Sequence, residues 1–144
     1  MATASVQNNT NTERVAFGKI PQAIAFAGVG GAIINTIIYF IGNAISEMKA
    51  PIIMVPIMSI VLVALGGLVY AILGKLTKRP ITIFIVISVV VLVLDAFMPI
   101  NAMSTPPMPG APLFNIATVI ALELMHLVSG GLAIYAFTRR ARAV

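Results

Sequence analysis

Four stretches of this chain are each long and apolar enough to cross a bilayer, and together they occupy most of it. They run over about residues 20–45, 52–73, 81–100 and 113–137. A helix needs about 20 apolar residues to span the hydrocarbon core. Within lipid a lone segment can satisfy its backbone only as a helix. The expected fold is therefore all-α, a transmembrane four-helix bundle over 20–138. A disordered cytoplasmic tail is expected over 1–19 and a basic cytoplasmic tail over 139–144. Only 9% of the residues are charged, against about 25% in a soluble domain, which leaves no stretch for a soluble catalytic domain. The first apolar stretch begins too far into the chain, and is too long, for a cleaved signal segment.

The chain has no cysteine, which excludes disulfides, thiol redox chemistry and thiolate metal sites. Its net charge of +5 does not describe a nucleic-acid face, because the basic residues lie at the ends of the apolar stretches. Arg14 and Lys19 precede the first. Lys75, Lys78 and Arg79 separate the second and third, and Arg139, Arg140 and Arg142 follow the fourth. Only Lys49 falls on the other side. The positive-inside rule then predicts an N-in/C-in arrangement. The outer loop is expected over 99–112, where its prolines favour extended backbone. The expected location is the inner, or plasma, membrane of a bacterium.

At the helical repeat, small and polar residues gather on one face of each span. Gly28, Gly31, Asn35, Tyr39 and Gly42 share a face of the first. Ser59, Gly66 and Gly67 mark the second, Asp95 the third, and Asn115, Glu123, His126 and Gly130 the fourth. Lipid gives helices no hydrophobic reason to associate, so close approach at small residues and interhelical hydrogen bonds supply the attraction. Gly28, Gly31, Gly42, Gly66, Gly67 and Gly130 are accordingly the expected packing positions. At 1.5 Å per residue, Asn35, Asp95, Glu123 and His126 fall in one layer in the outer half of the bilayer, with Tyr39 a turn further out.

That layer is the candidate site. An ionisable group at bilayer depth costs roughly 2.5–3.5 kcal/mol on insertion scales and commonly marks function. Glu123 and His126 have the Glu-x-x-His spacing that places two ligands on one helix face in di-iron bundles. Those bundles use the motif twice, and this chain has it once. Asp95, Glu123 and His126 could supply a single metal with suitable ligand types. A proton relay needs only a carboxylate and an imidazole in a polar interior. A buried network that fixes helix register needs no chemistry at all. No cofactor is expected, and no nucleophile–base constellation of the hydrolase type is present.

The segment 121–130, Ala-Leu-Glu-Leu-Met-His-Leu-Val-Ser-Gly, resembles the last span of small four-span bacterial integral membrane proteins of uncharacterised function. The resemblance implies the four-span plan and no activity. Small multidrug transporters have a similar size, but their essential Glu lies in the first helix, where this chain offers only Asn35. The sequence thus leads to an uncharacterised multi-pass membrane protein, more readily a non-enzyme than an enzyme. Its roles in view are an accessory subunit or a proton- or cation-linked transporter working as an oligomer. The alternative is a metal- or quinone-linked redox protein. The partners expected are the lipid bilayer and a homo-oligomer or larger membrane complex, with no nucleic acid.

Overall fold

The computed structural model describes residues 12–46, 48 and 51–143. Four long helices follow in order: α1 (Ile20–Ser46), α2 (Met54–Leu76), α3 (Pro80–Asn101) and α4 (Ile116–Tyr135). Each is long and apolar enough to cross a membrane. Residues 1–11 of the expected tail, and Lys49, lie outside the described residues.

Local chemistry sets the helix ends. Pro80 begins α3, where its missing N–H would be unpaired in any case. Asn115, grouped by helical spacing with Glu123 and His126, is instead the N-cap of α4. Its Oδ1 accepts from Thr118 N at 2.8 Å, which satisfies one orphan donor of the first turn. Pro99, expected to open the outer loop, lies inside α3. It is tolerated there because the helix ends shortly after, at Asn101. Its ring removes the donor that would have bonded to the Asp95 carbonyl. At the far end, α4 widens into one π-turn, Ala136–Arg140, and Ala141 N donates to Ala136 O at 3.1 Å.

Helix α1 is the hub, packed along both α2 and α4, while α3 leans more lightly on α4 and α2. Where helices touch, glycine sets the distance. A Cβ on Gly42 would lie 2.8 Å from the Ala121 Cβ, one on Gly67 2.7 Å from Ile24 Cδ1, and one on Gly130 2.7 Å from Leu92 Cδ1. The fit is looser at Gly28 and Gly66, where a Cβ would lie 3.5 Å from Ile60 Cα and 3.7 Å from Phe137 Cε2. The outward faces carry exposed Ile33, Ile37, Phe40, Val86, Val90 and Leu94. A soluble monomer rarely exposes so continuous an apolar surface, and lipid suits it.

The end of the bundle where residues 12 and 143 lie holds the larger buried apolar cluster. Tyr70, Phe84 and Phe137 form a buried triangle of rings, with centroids 5.1 to 5.5 Å apart. The π-turn carries Phe137 into this triangle and leaves Arg140 stacked 3.7 Å over the Phe26 ring. Residues 12–19, counted with the disordered tail in the sequence reading, are placed against the bundle. Val15 pairs with Arg142 in an antiparallel bridge, fixed by Ala16 N to Ala141 O at 2.8 Å and Ala143 N to Arg14 O at 3.0 Å. Phe17–Lys19 then form a 3₁₀ turn into α1. Backbone pairing between the two ends of the chain has no signature in either segment alone.

Candidate functional site

The polar residues of the bundle interior form two neighbouring clusters joined by α4. The first lies among α1, α2 and α4. Asn35 is only 3% exposed, and its amide nitrogen donates to Ser59 Oγ at 2.9 Å and to Ser129 Oγ at 2.8 Å. Ser59 Oγ in turn donates to Val55 O at 2.8 Å, the common way for a helical hydroxyl to satisfy itself. One amide thus ties three helices together. Asn35 Oδ1 is buried and receives no hydrogen bond from the described residues.

The second cluster lies between α3 and α4. His126 Nδ1 stands 3.2 Å from Asp95 Oδ2, with the two side chains 25% and 36% exposed. The distance is that of an ion pair, while the direction of the ring nitrogen falls short of a hydrogen bond. Glu123 precedes His126 by one turn on α4, so the two share a side of the helix. Glu123 is half-buried, and its Oε1 is buried without a hydrogen-bond partner among the described residues. Leu92 fills the notch at Gly130, which brings the α3 and α4 backbones together beside this pair.

Of the residues picked out from the sequence, Asp95 and His126 meet directly, and Asn35 reaches α4 through Ser129. Tyr39 has its own apolar surroundings. It packs with Met48, Ala121 and Met125, and its hydroxyl donates to Met48 O at 3.3 Å. Among the described residues, no three metal-ligating side chains converge where an ion could be held. Asp95, Glu123 and His126 therefore do not form a ligand set in this arrangement.

Residues 15–143 match a family described as a family of unknown function, DUF6069. The chain belongs to this family. No curated protein and no solved structure matches it. For this DUF6069 protein, what the site can do thus rests on its own side chains. A carboxylate and an imidazole in contact can hold one proton between them in two arrangements with the same net charge.

Two residues of this DUF6069 chain escaped the sequence reading. Ser129 stands one turn beyond His126, and that spacing was the signal available for it. Glu13 lies outside the membrane-spanning helices and caps α3 from a distance. Its Oε2 accepts from Ile81 N at 2.8 Å and Thr82 N at 3.0 Å, and its Oε1 from Thr82 Oγ1 at 2.6 Å. Burial disfavours the Glu13 carboxylate. The Thr82 hydroxyl, the two backbone N–H groups and the Arg142 charge outweigh burial and hold the carboxyl below its ordinary range. The only hint was negative: Arg79, at the N-cap of α3, supplies no side-chain cap.

Proposed function

We propose that this chain is a four-span protein of a bacterial plasma membrane, with both termini in the cytoplasm, whose Asp95–His126–Glu123 group is the protonatable centre of proton- or cation-linked transport. The orientation is supported by the basic residues. Arg14, Lys19, Lys75, Lys78, Arg79, Arg139, Arg140 and Arg142 all flank the same ends of the four helices, and such clusters favour the cytoplasmic side.

The observation that carries the transport reading is the 3.2 Å approach of His126 to Asp95, with Glu123 a turn away. Three ionisable groups at bilayer depth are costly, and a purely structural network can be made from uncharged groups, as Asn35, Ser59 and Ser129 do nearby. In the proposed cycle a proton arriving at Glu123 passes to the His126–Asp95 pair and leaves it on the other side. The proposed working unit is an oligomer, in which neighbouring four-helix bundles move against one another.

The test is ion flux in proteoliposomes carrying a pH gradient, read with an entrapped pH dye in sodium, potassium and methylammonium buffers. Wild-type protein should dissipate the gradient with at least one of these cations, and Asp95→Asn and Glu123→Gln should reduce the rate towards that of empty vesicles. Wild-type vesicles indistinguishable from empty ones in every buffer would leave the network with a structural role.

A further inference from the structure

At the end of the bundle where residues 12 and 143 lie, a partly open cavity of about 510 Å³ is lined by Thr12, Glu13, Arg14, Arg142 and Ala143. Its volume falls within the range of small-molecule sites, about 300–1,000 Å³. Two of its five lining residues are arginines, drawn from segments far apart in the chain. The Val15–Arg142 bridge brings them together, with Ala143 N donating to Arg14 O at 3.0 Å. Backbone pairing thus holds this cluster in place, whereas the exposed Arg139 lies outside the cavity.

The cavity is positively charged. Glu13 supplies its carboxylate, but the oxygens of that group are engaged by Ile81 N, Thr82 N and Thr82 Oγ1, at the positive end of the α3 dipole. The Arg142 charge helps to keep Glu13 ionised. Even so, neither guanidinium of the cavity is within ion-pair distance of a carboxylate among the described residues. A guanidinium presents a planar fork of N–H donors that matches two oxygens of a phosphate. Two such forks beside one engaged carboxylate suit an anion that carries several acceptor oxygens.

The position of the cavity favours a lipid as the source of that anion. Val15 and Arg142 lie just beyond the membrane-crossing stretches Phe17–Ser46 and Ile116–Arg140, at the level of the headgroups that flank the hydrocarbon core. Phe17, two residues on from Val15, is exposed and offers apolar surface to acyl chains. Basic pockets at the ends of membrane helices are suited to anionic headgroups. We propose that this cavity binds the phosphate of an anionic phospholipid headgroup, clasped between Arg14 and Arg142. Because the arginines sit on the two paired segments, the bound headgroup also holds the Val15–Arg142 bridge closed. The proposal needs the helices to cross a membrane and does not depend on the transport reading.

The test is native mass spectrometry of the full chain in uncharged detergent, titrated with phosphatidylglycerol or with phosphatidylcholine. Wild-type protein should retain one phosphatidylglycerol in preference to phosphatidylcholine, whose choline cation is repelled by the two arginines. Arg14→Gln and Arg142→Gln should each weaken that retention about tenfold or more, as loss of a hydrogen bond to a charged group does. Arg139→Gln, which removes the same charge outside the cavity, should leave it nearly unchanged. Arg14→Gln keeps the backbone pairing and does not disturb the Arg142 charge beside Glu13, so it reports on the site even if Arg142→Gln unfolds. A second arm follows thermal unfolding with added inorganic phosphate. Stabilisation that needs both arginines, without a preference between the lipids, would keep the anion site and assign it to free phosphate. Neither response, or an equal loss of lipid in Arg139→Gln, would overturn the site.

Discussion

Asp95 Oδ2 on α3 lies 3.2 Å from His126 Nδ1 on α4, the one ion-pair contact within the bundle among the described residues. It joins the lightest-packed helix to the rest, beside the close approach of Leu92 to Gly130. The pair should therefore matter to stability as well as to proton chemistry. Coupled residues in one ion-pair network typically show interaction energies of about 0.5–3 kcal/mol. A double-mutant cycle of Asp95→Asn and His126→Gln, read by reversible unfolding in mixed micelles, should return a coupling in that range. Additive single effects would show that the two side chains do not interact in solution.

Gly42 and Gly66 should respond oppositely to alanine. At Gly42 the new methyl would lie 2.8 Å from the Ala121 Cβ, an atom fixed to backbone that cannot rotate away, so α1 and α4 must separate. Overpacking of this kind costs about 1–3 kcal/mol. At Gly66 the nearest atom is Phe137 Cε2 at 3.7 Å, and alanine gains about 1 kcal/mol of helix propensity over glycine. Thermal unfolding of the two variants should move in opposite directions.

Glu13 should make stability pH-dependent in the acid range. Its carboxyl is held below its ordinary value of 4.5, so the folded state favours the carboxylate. That contribution is complete above the ordinary value and is lost as pH falls from there through the lower folded value. Glu13→Ala should cost roughly 0.5–2 kcal/mol, as loss of a helix cap does, and should flatten the acid limb of the stability profile. An unchanged limb would mean that the capping contact is not kept in solution.

The chain lacks cysteine, so single-cysteine variants need no background changes. Lys78→Cys, between α2 and α3, should be protected from an impermeant thiol reagent in intact cells and labelled after permeabilisation. Ser104→Cys, between α3 and α4, should be labelled in intact cells. The reverse pattern would invert the proposed orientation.

The sequence was most legible where one physical constraint dominates. Lipid forces each span to be apolar for about 20 residues and helical throughout, so four helices could be counted without any tertiary information. The same constraint made Asp95, Glu123 and His126 visible as exceptions. Pro99 misled for a local reason, since a proline near the end of a helix and one that opens a loop look alike without the helix around them. Asn115 shares the helical spacing of Glu123 and His126, and spacing alone does not tell a helix cap from the rest of that face.

Tertiary structure decided which exceptions meet. Helical spacing gives the face of each residue but not the rotation of one helix against the next. It therefore could not separate a single shared layer from what is found, an amide cluster on α1, α2 and α4 beside an ion pair on α3 and α4. Nor could it join Glu13 to Thr82 or Val15 to Arg142, contacts between segments far apart in the chain that form only once the helices have brought both ends to one side. The sequence by itself determined four apolar helices and the residues out of place in them. Only the packing decided that Asp95 faces His126 while Asn35 faces Ser129, because those choices depend on distances between helices that glycine and its neighbours set.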